Sequence, residues 1–220
     1  MLEVRNATKS YVKDGRTVPA ARELSLCARE GELVVVHGPS GSGKSTLLMM
    51  MGGMLPPDSG GVLYDGWEVY RGSPAKRNRY RKHTVGFVFQ RFLLMPYLSV
   101  RDNIGMPLSL QGRRREASAA VGELARSLGI EQRLGHRPGE LSVGEQQRVA
   151  LARALVGGQK LILADEPTGN LDPPNAEMIA QRLVHESRQG RIVVLVTHDP
   201  VLLEIATKRL RLESGRLVEP

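Results

Sequence analysis

Eight consecutive residues, Gly38-Pro39-Ser40-Gly41-Ser42-Gly43-Lys44-Ser45, have the types and order that hold a polyphosphate. Glycines let the backbone curl until successive N–H groups point inward at phosphate oxygens. Lys44 supplies a point charge for β- and γ-phosphates, and the Ser45 hydroxyl suits Mg²⁺. This is the full Walker A pattern, and Thr46 is grouped with it as a nucleotide contact. A second set follows much later. Leu161-Ile162-Leu163-Ala164 is apolar and ends in two carboxylates, Asp165 and Glu166. Asp165 is expected to hold Mg²⁺, and Glu166 to orient and polarise an attacking water.

These groups work only if strands and helices deliver them to one place. Residues 32–37 read as a short apolar strand running into the glycine-rich loop, and 44–51 as the helix after it, stopped by Gly52-Gly53. Strands are expected at 61–64, 85–89, 160–164 and 191–197, and a helix at 174–189. Between about 91 and 157 the pattern turns helical, with 115–128 and 143–155 the clearest stretches and Gly129 a stop signal. Strands that are apolar on every residue, alternating with helices, imply a mainly parallel sheet covered on both faces. The expectation is an α/β P-loop fold in one domain over 1–220. Within it, 1–90 and 158–220 form the nucleotide-binding core, and 91–157 is a helical insertion.

Composition narrows the classes. The chain has 220 residues, 41% hydrophobic and 25% charged, as folded globular proteins do. No apolar run approaches the ~20 residues of a membrane span, and the N-terminus lacks the pattern of a secretory leader. Cys27 is the only cysteine, which excludes an intramolecular disulfide and a multi-cysteine metal site. It is expected to pack as a small apolar group on a strand. His37, His83, His136 and His185 show no metal-ligand spacing and read as structural. The net charge is +8, which favours anionic partners. Its visible concentrations are Lys76-Arg77-Asn78-Arg79-Tyr80-Arg81-Lys82 and Arg113-Arg114-Arg115. Such runs read first as solvated helix faces and second as a juxtamembrane contact with acidic headgroups.

The order of motifs resembles that of the ABC ATPases over essentially the whole chain. Leu141-Ser142-Val143-Gly144-Glu145-Gln146-Gln147-Arg148 is similar to their signature motif and precedes the Asp165-Glu166 strand, as in that family. Gln90 falls where the family has its Q-loop glutamine, Gly169-Asn170-Leu171-Asp172 its D-loop, His198 its switch histidine and Tyr11 its adenine-stacking aromatic. The resemblance implies an N-terminal antiparallel β part beside the parallel core sheet, and ATP and Mg²⁺ as ligands, with Ser45, Gln90 and Asp165 around the metal. It gives catalytic roles to Glu166, His198, Lys44 and Gln90. It also implies a head-to-tail dimer in which Ser142, Val143, Gly144, Glu145 and Asp172 of one copy complete the site of the other. Val143 departs from the usual glycine: either its backbone has negative φ, or closure of the dimer is impaired.

Further stretches, 86–96, 164–172, 136–142 and 174–177, resemble the group that contains lipoprotein-releasing, macrolide-exporting and cell-division ATPases, the lipoprotein-releasing branch most. This implies an integral membrane partner and a peripheral place on the cytoplasmic face of the cell membrane. It also implies action by driving that partner mechanically. The apolar run 92–98 is expected either to pack inside the helical insertion or to line a groove for a short helix of the partner. The alternative is a non-transport ABC ATPase acting on nucleic acid. The chain has no heptad tract and one cysteine, whereas such relatives need coiled-coil or zinc-binding insertions, so a nucleic-acid partner is not expected.

Overall fold

The computed structural model describes residues 1–169 and 171–218. The chain opens with a long hairpin, β1 (Leu2–Lys13) and β2 (Arg16–Ala28), and then enters β3 (Leu33–His37) and α1 (Lys44–Met51). Next come β4 (Ser59–Tyr64), β5 (Trp67–Glu68), α2 (Pro74–His83) and β6 (Val85–Val88). Three helices follow, α3 (Val100–Leu110), α4 (Ala117–Ser127) and α5 (Val143–Leu155). The alternation then resumes with β7 (Leu161–Asp165), α6 (Pro173–Arg188), β8 (Ile192–Val196) and α7 (Pro200–Glu204). The hairpin β9 (Lys208–Glu213) and β10 (Arg216–Val218) closes the described part.

Two sheets result. One is antiparallel, in the order β2-β1-β4-β5; the other runs β10-β9-β3-β8-β7-β6 and is parallel except at the β10 edge. The expected α/β class, with an antiparallel N-terminal part and helices inserted between β6 and β7, is therefore the observed one.

The central strands are apolar throughout because both their faces are buried, and side chains alternate between two cores. Val34 and Val36 of β3, Leu161 and Leu163 of β7, and Ile192, Val194 and Val196 of β8 join α1 and the antiparallel sheet. Their neighbours Leu33, Val35, Ile162, Ala164, Val193 and Leu195 join α3, α4, α5 and α6. Several helices announce their starts locally. Ser73, Ser99, Ser142, Asp172 and Asp199 each accept a first-turn N–H, and Pro74, Pro173 and Pro200 open α2, α6 and α7. The stretch expected as a helix over 115–128 begins as a 3₁₀ turn, Arg114–Glu116, and becomes α-helical from Ala117. Cys27 sits half-buried on β2.

Candidate nucleotide site

Parallel register carries the chemistry to one edge of the sheet. Val36 of β3 faces Val196 of β8, Val196 faces Asp165 of β7, and Ala164 of β7 faces Val88 of β6. Residues leaving these strands therefore stand in a row, one strand spacing of about 4.8 Å apart. The row holds the loop after β3, Thr197 and His198 after β8, Asp165-Glu166 at the end of β7, and Gln90 just past β6. Lys44, Ser45, Thr46, Gln90, Asp165, Glu166 and His198, with Gly38, Pro39, Ser40, Gly41 and Gly43, line one cavity of about 560 Å³. Among the loop residues, Ser42 is the one absent from this lining. Its side chain is buried, its Oγ finds no partner, and its N–H donates to Pro39 O at 3.2 Å.

The loop is built around Gly43. Its φ is 104°, and a Cβ there would lie 1.9 Å from the Ala20 carbonyl oxygen of β2, so no other residue fits. Gly43 is also the N-cap of α1, and no side chain caps that helix. The first-turn N–H groups and the positive end of the dipole therefore face the cavity. Lys44 Nζ donates to Gly38 O at 2.8 Å and to Pro39 O at 3.0 Å, so its ammonium is held at the loop by oxygens that a phosphate would replace.

Burial raises the Asp165 carboxyl above its ordinary pKa. The Ser45 hydroxyl hydrogen-bonded to it opposes that rise, and the neighbouring Glu166 adds to it. A carboxylate strained this way, beside Ser45 Oγ and within the same cavity as the Gln90 amide, gives a set of hard oxygen donors that fits Mg²⁺. Among the described residues no group of three His, Cys, Asp or Glu is gathered to hold a metal. Mg²⁺ there would complete its shell with water and phosphate oxygens.

Glu166 takes a left-handed backbone, φ 46°, a conformation a non-glycine residue adopts at a cost. Its N–H donates to Val196 O at 2.9 Å, which fixes it against β8. The carboxylate is divided between two neighbours: Oε1 lies 3.0 Å from His198 Nδ1, and Oε2 accepts from Thr197 Oγ1 at 3.1 Å. The arrangement places an acceptor at the mouth of the phosphate cavity, aimed by two side chains. Tyr11 lies on β1 at the border, with its ring partly exposed and its hydroxyl 3.3 Å from Thr46 Oγ1.

The signature residues are elsewhere. None of Ser142, Val143, Gly144, Glu145 or Asp172 lines this cavity. Ser142 caps α5, its Oγ accepting from Glu145 N at 3.3 Å, while Glu145 Oε2 accepts the Ser142 N–H at 2.8 Å. Arg133 donates to Glu145 Oε1 at 2.7 Å and, with the Ser142 N–H, holds this carboxyl down at about 2. Val143 is the first residue of α5 in ordinary helical backbone, with its side chain half in solvent. That resolves the alternative posed by its β-branch in favour of negative φ. Gly144 leaves little room: a Cβ there would meet the Asn175 side chain at 2.8 Å and force it to shift. Asp172 caps α6; of the D-loop, Asn170 lies outside the described residues.

Four supporting side chains were not visible in the sequence. Thr197 aims Glu166, and Thr168 Oγ1 donates to Asp199 Oδ2 at 2.6 Å, joining the ends of β7 and β8. Asn175 accepts from Arg148 at 2.8 Å and donates to Asp172 at 2.5 Å, tying the start of α5 to the start of α6. Half-buried Arg153 on α5 donates to the carbonyls of Phe92 and Leu93 at 2.6 Å each. Both of those residues have positive φ, and they follow Gln90 closely. No local pattern marks these four, because apart from the Asn175–Asp172 bond each partner lies at least 27 residues away.

The family described as ABC transporter matches residues 21–169, which includes the phosphate loop, Gln90, the signature stretch and Glu166. The chain belongs to the ABC transporter family. Among curated relatives, the lipoprotein-releasing system ATP-binding protein LolD of Geobacter metallireducens is 44% identical, over 99% of this chain and 98% of its own. LolD of Myxococcus xanthus is 43% identical over 100% and 99%. The macrolide export ATP-binding/permease protein MacB of Marinobacter nauticus is 39% identical over 100% of this chain, which spans 34% of MacB. Among solved structures, the dimeric ABC transporter cassette MJ0796 superposes with a TM-score of 0.94 at 35% identity, covering 100% of this chain and 97% of that one. The same cassette in a post-hydrolysis state bound to ADP and Pi gives 0.90 at 34% identity, with the same coverage. This ABC transporter subunit binds and hydrolyses ATP, and among its described residues no helix is long and apolar enough to cross a membrane.

Proposed function

We propose that two copies of this chain pack head to tail around two ATP molecules and, by closing and reopening, drive a separate integral membrane protein of the lipoprotein-releasing type. One observation carries the reading. The cavity that holds Lys44 and Glu166 contains no signature residue, so a second copy must bring Ser142 and Gly144 to its phosphates. The dimeric MJ0796 cassette supports this geometry, and the LolD relatives support the branch.

Within the site, Lys44 and the α1 N-terminus bind the β- and γ-phosphates. Ser45, Asp165 and Gln90 would hold Mg²⁺, which when bound would supply positive charge to neutralise the phosphates. Glu166 orients water against the γ-phosphorus: the new P–O bond forms, the bond to the bridging oxygen breaks, and the water proton leaves toward the carboxylate. His198 contacts the γ-phosphate from beside it. Tyr11 stacks on adenine, and Asp172 reaches across the dimer.

Residues 91–157 act as the moving unit, shifted through Gln90. A groove of about 330 Å³ between α2, β6 and α3 receives a short cytoplasmic helix of the membrane partner. It is lined by Met106, Pro107, Leu110, Phe87 and Arg153, and Arg153 also holds the apolar run 92–98. That run divides: Leu94 packs on the helical core, whereas Leu93, Met95 and Tyr97 are exposed, Tyr97 at 88%. The chain thereby works at the cytoplasmic face of the membrane. The test is size-exclusion chromatography of Glu166→Gln with ATP. A dimer is expected, and Ser142→Arg should abolish it. A monomer with ATP demonstrably bound overturns the composite site. Leu110→Glu, in the exposed lining of the groove, and Tyr97→Glu, in the run 92–98, should each keep ATPase activity and fail to co-purify with the membrane protein; normal assembly of Leu110→Glu removes the groove from the reading, and normal assembly of Tyr97→Glu removes the run.

A further inference from the structure

Nearly all of the chain's net charge resides in two short segments that the fold brings together. α2 carries Lys76, Arg77, Arg79, Arg81 and Lys82 with no carboxylate, and the turn after α3 carries Arg113, Arg114 and Arg115 with Glu116 alone against them. Against a total of +8, this leaves the rest of the chain close to neutral. The two segments lie about thirty residues apart in sequence but side by side in space. Gln111, the C-cap of α3, donates from Nε2 to Lys82 O at the end of α2, at 2.7 Å. Arg113 then reaches Gly157 O at 3.2 Å. The charge is also left open. Arg113 pairs with Glu116, and Arg71 upstream of α2 pairs with Glu68. Among the described ion pairs none uses a side chain of α2, Arg114 or Arg115. Lys76, Arg79, Lys82, Arg114 and Arg115 are all exposed.

Solubility does not require such segregation, since mixed charges serve it equally well. The position adds a second observation. Asn78, Arg81 and Lys82 form one bank of the groove between α2 and α3. If that groove seats the cytoplasmic helix of a membrane protein, the basic surface lies beside the point where the partner leaves the bilayer. The surface offers no stacking platform for bases: the Tyr70 ring is covered by Arg77, at 5.8 Å from its centroid, and Tyr80 is buried. Exposed arginine and lysine heads beside the groove suit a field of separate phosphate groups.

We propose that α2 and the Arg113–Arg115 turn together form a docking surface for anionic phospholipid headgroups, holding this subunit against the membrane beside its partner. The proposal rests on the groove reading for its orientation. Its test uses the chain alone, so the two can fail separately.

The experiment is flotation of the purified full-length chain with vesicles of phosphatidylcholine, and of phosphatidylcholine mixed with phosphatidylglycerol, at low and physiological salt. Binding is expected only to the mixed vesicles, weakening as salt screens it. Each basic residue at an anionic surface contributes a factor of about five in partitioning. Replacing Lys76 and Arg79 with Gln should therefore lower it about 25-fold, and adding Arg114→Gln and Arg115→Gln should remove it. None of these residues lines the ATP cavity, so basal ATPase activity should stay as in the unaltered chain and report that the variants fold. Equal binding to both vesicle types overturns the proposal, as does unchanged binding by the four-residue variant. Retention on duplex DNA with none on anionic vesicles, at the same salt, overturns it in favour of nucleic acid. Failure of the groove reading alone would leave vesicle binding intact while Leu110→Glu still assembled with the membrane partner.

Discussion

Two helix N-termini in this chain carry the proposed phosphate contacts, and they are built differently. α1 starts on Gly43 with no side-chain cap, its lysine folded onto two loop carbonyls. α5 starts on Ser142 inside a complete capping box, braced by the ion pair of Glu145 with Arg133. The first is an open receptor whose donors await a ligand. The second satisfies itself, so it keeps its shape while far from any nucleotide, and it must share or release a bond when phosphate arrives. An uncapped signature helix would fray in the monomer; a capped phosphate loop would bind nothing. The asymmetry suits a site whose halves sit on different copies, one half loading ATP first and the other engaging afterwards.

The largest effect should come from the open half. Glu166→Gln should lower ATP turnover by about 10²–10⁴-fold, the usual contribution of a positioned base, while nucleotide binding persists in a fluorescent-analogue titration. Lys44→Ala should instead lose the binding. Turnover by Glu166→Gln equal to that of the unaltered chain would move the base elsewhere.

The closed half can be dissected because its cap and its proposed phosphate contact use the same oxygen. Ser142→Ala should lose both. Thermal stability should fall by about 1 kcal/mol, roughly 2–4 °C in Tm, and ATP turnover by about 100-fold. Ser142→Asp should restore the stability, since aspartate caps well. Turnover should stay low, because a carboxylate would then face the γ-phosphate. If Ser142→Asp recovers turnover as well, the Ser142 hydroxyl acts through the cap alone.

How much of this was legible beforehand depends on the kind of burial. β3, β7 and β8 are covered on both faces, so each is an unbroken aliphatic run, and its carboxylates or glycines mark the edge where it surfaces. β9 alternates exposed and covered positions through Lys208-Arg209-Leu210-Arg211-Leu212 and has too few apolar residues to stand out. Its pairing with β3 supplies the signal instead. The phosphate loop was legible because glycine and lysine there answer to backbone geometry and charge within eight residues. Thr197, Asn175 and Arg153 act across the fold, and Gln111 joins two basic runs that the sequence keeps apart. Such roles exist only once the tertiary contacts do.

The ion pair bracing α5 gives a smaller, pH-dependent effect. Glu145 is held at about 2 by Arg133 first and the Ser142 N–H second, below an unfolded value of about 4.3. A depressed carboxyl stabilises the fold above its unfolded pKa, and that contribution is lost as pH falls through the folded one. Solvent reaches both partners, so we expect about 1 kcal/mol at neutral pH. Glu145→Gln keeps an acceptor for the cap and removes the charge. It should lower Tm by a few degrees at pH 7 and flatten the decline of stability between about pH 4.3 and about 2. Parallel melting curves for the two proteins across that window would remove the pair from the account.

The smallest effect is expected where the chain departs from its family. Val143 is the first residue of α5, in helical backbone, and its side chain is half exposed on the face that a second copy would approach. Because the backbone there needs no positive φ, glycine is not required for geometry. Val143→Gly should cost only about 0.5 kcal/mol, the difference in helix propensity between the two, and should change ATP turnover less than about twofold. The measurement that matters is turnover against protein concentration, since dimer closure is second order in subunit. A steeper dependence in Val143→Gly, with tenfold faster turnover at low concentration, would mean that the side chain obstructs closure and that this chain is tuned to stay apart. An unchanged curve would mean that the self-capped α5 tolerates a β-branch at its tip because phosphate is gripped by Ser142 and the backbone beside it, not by the space a glycine leaves.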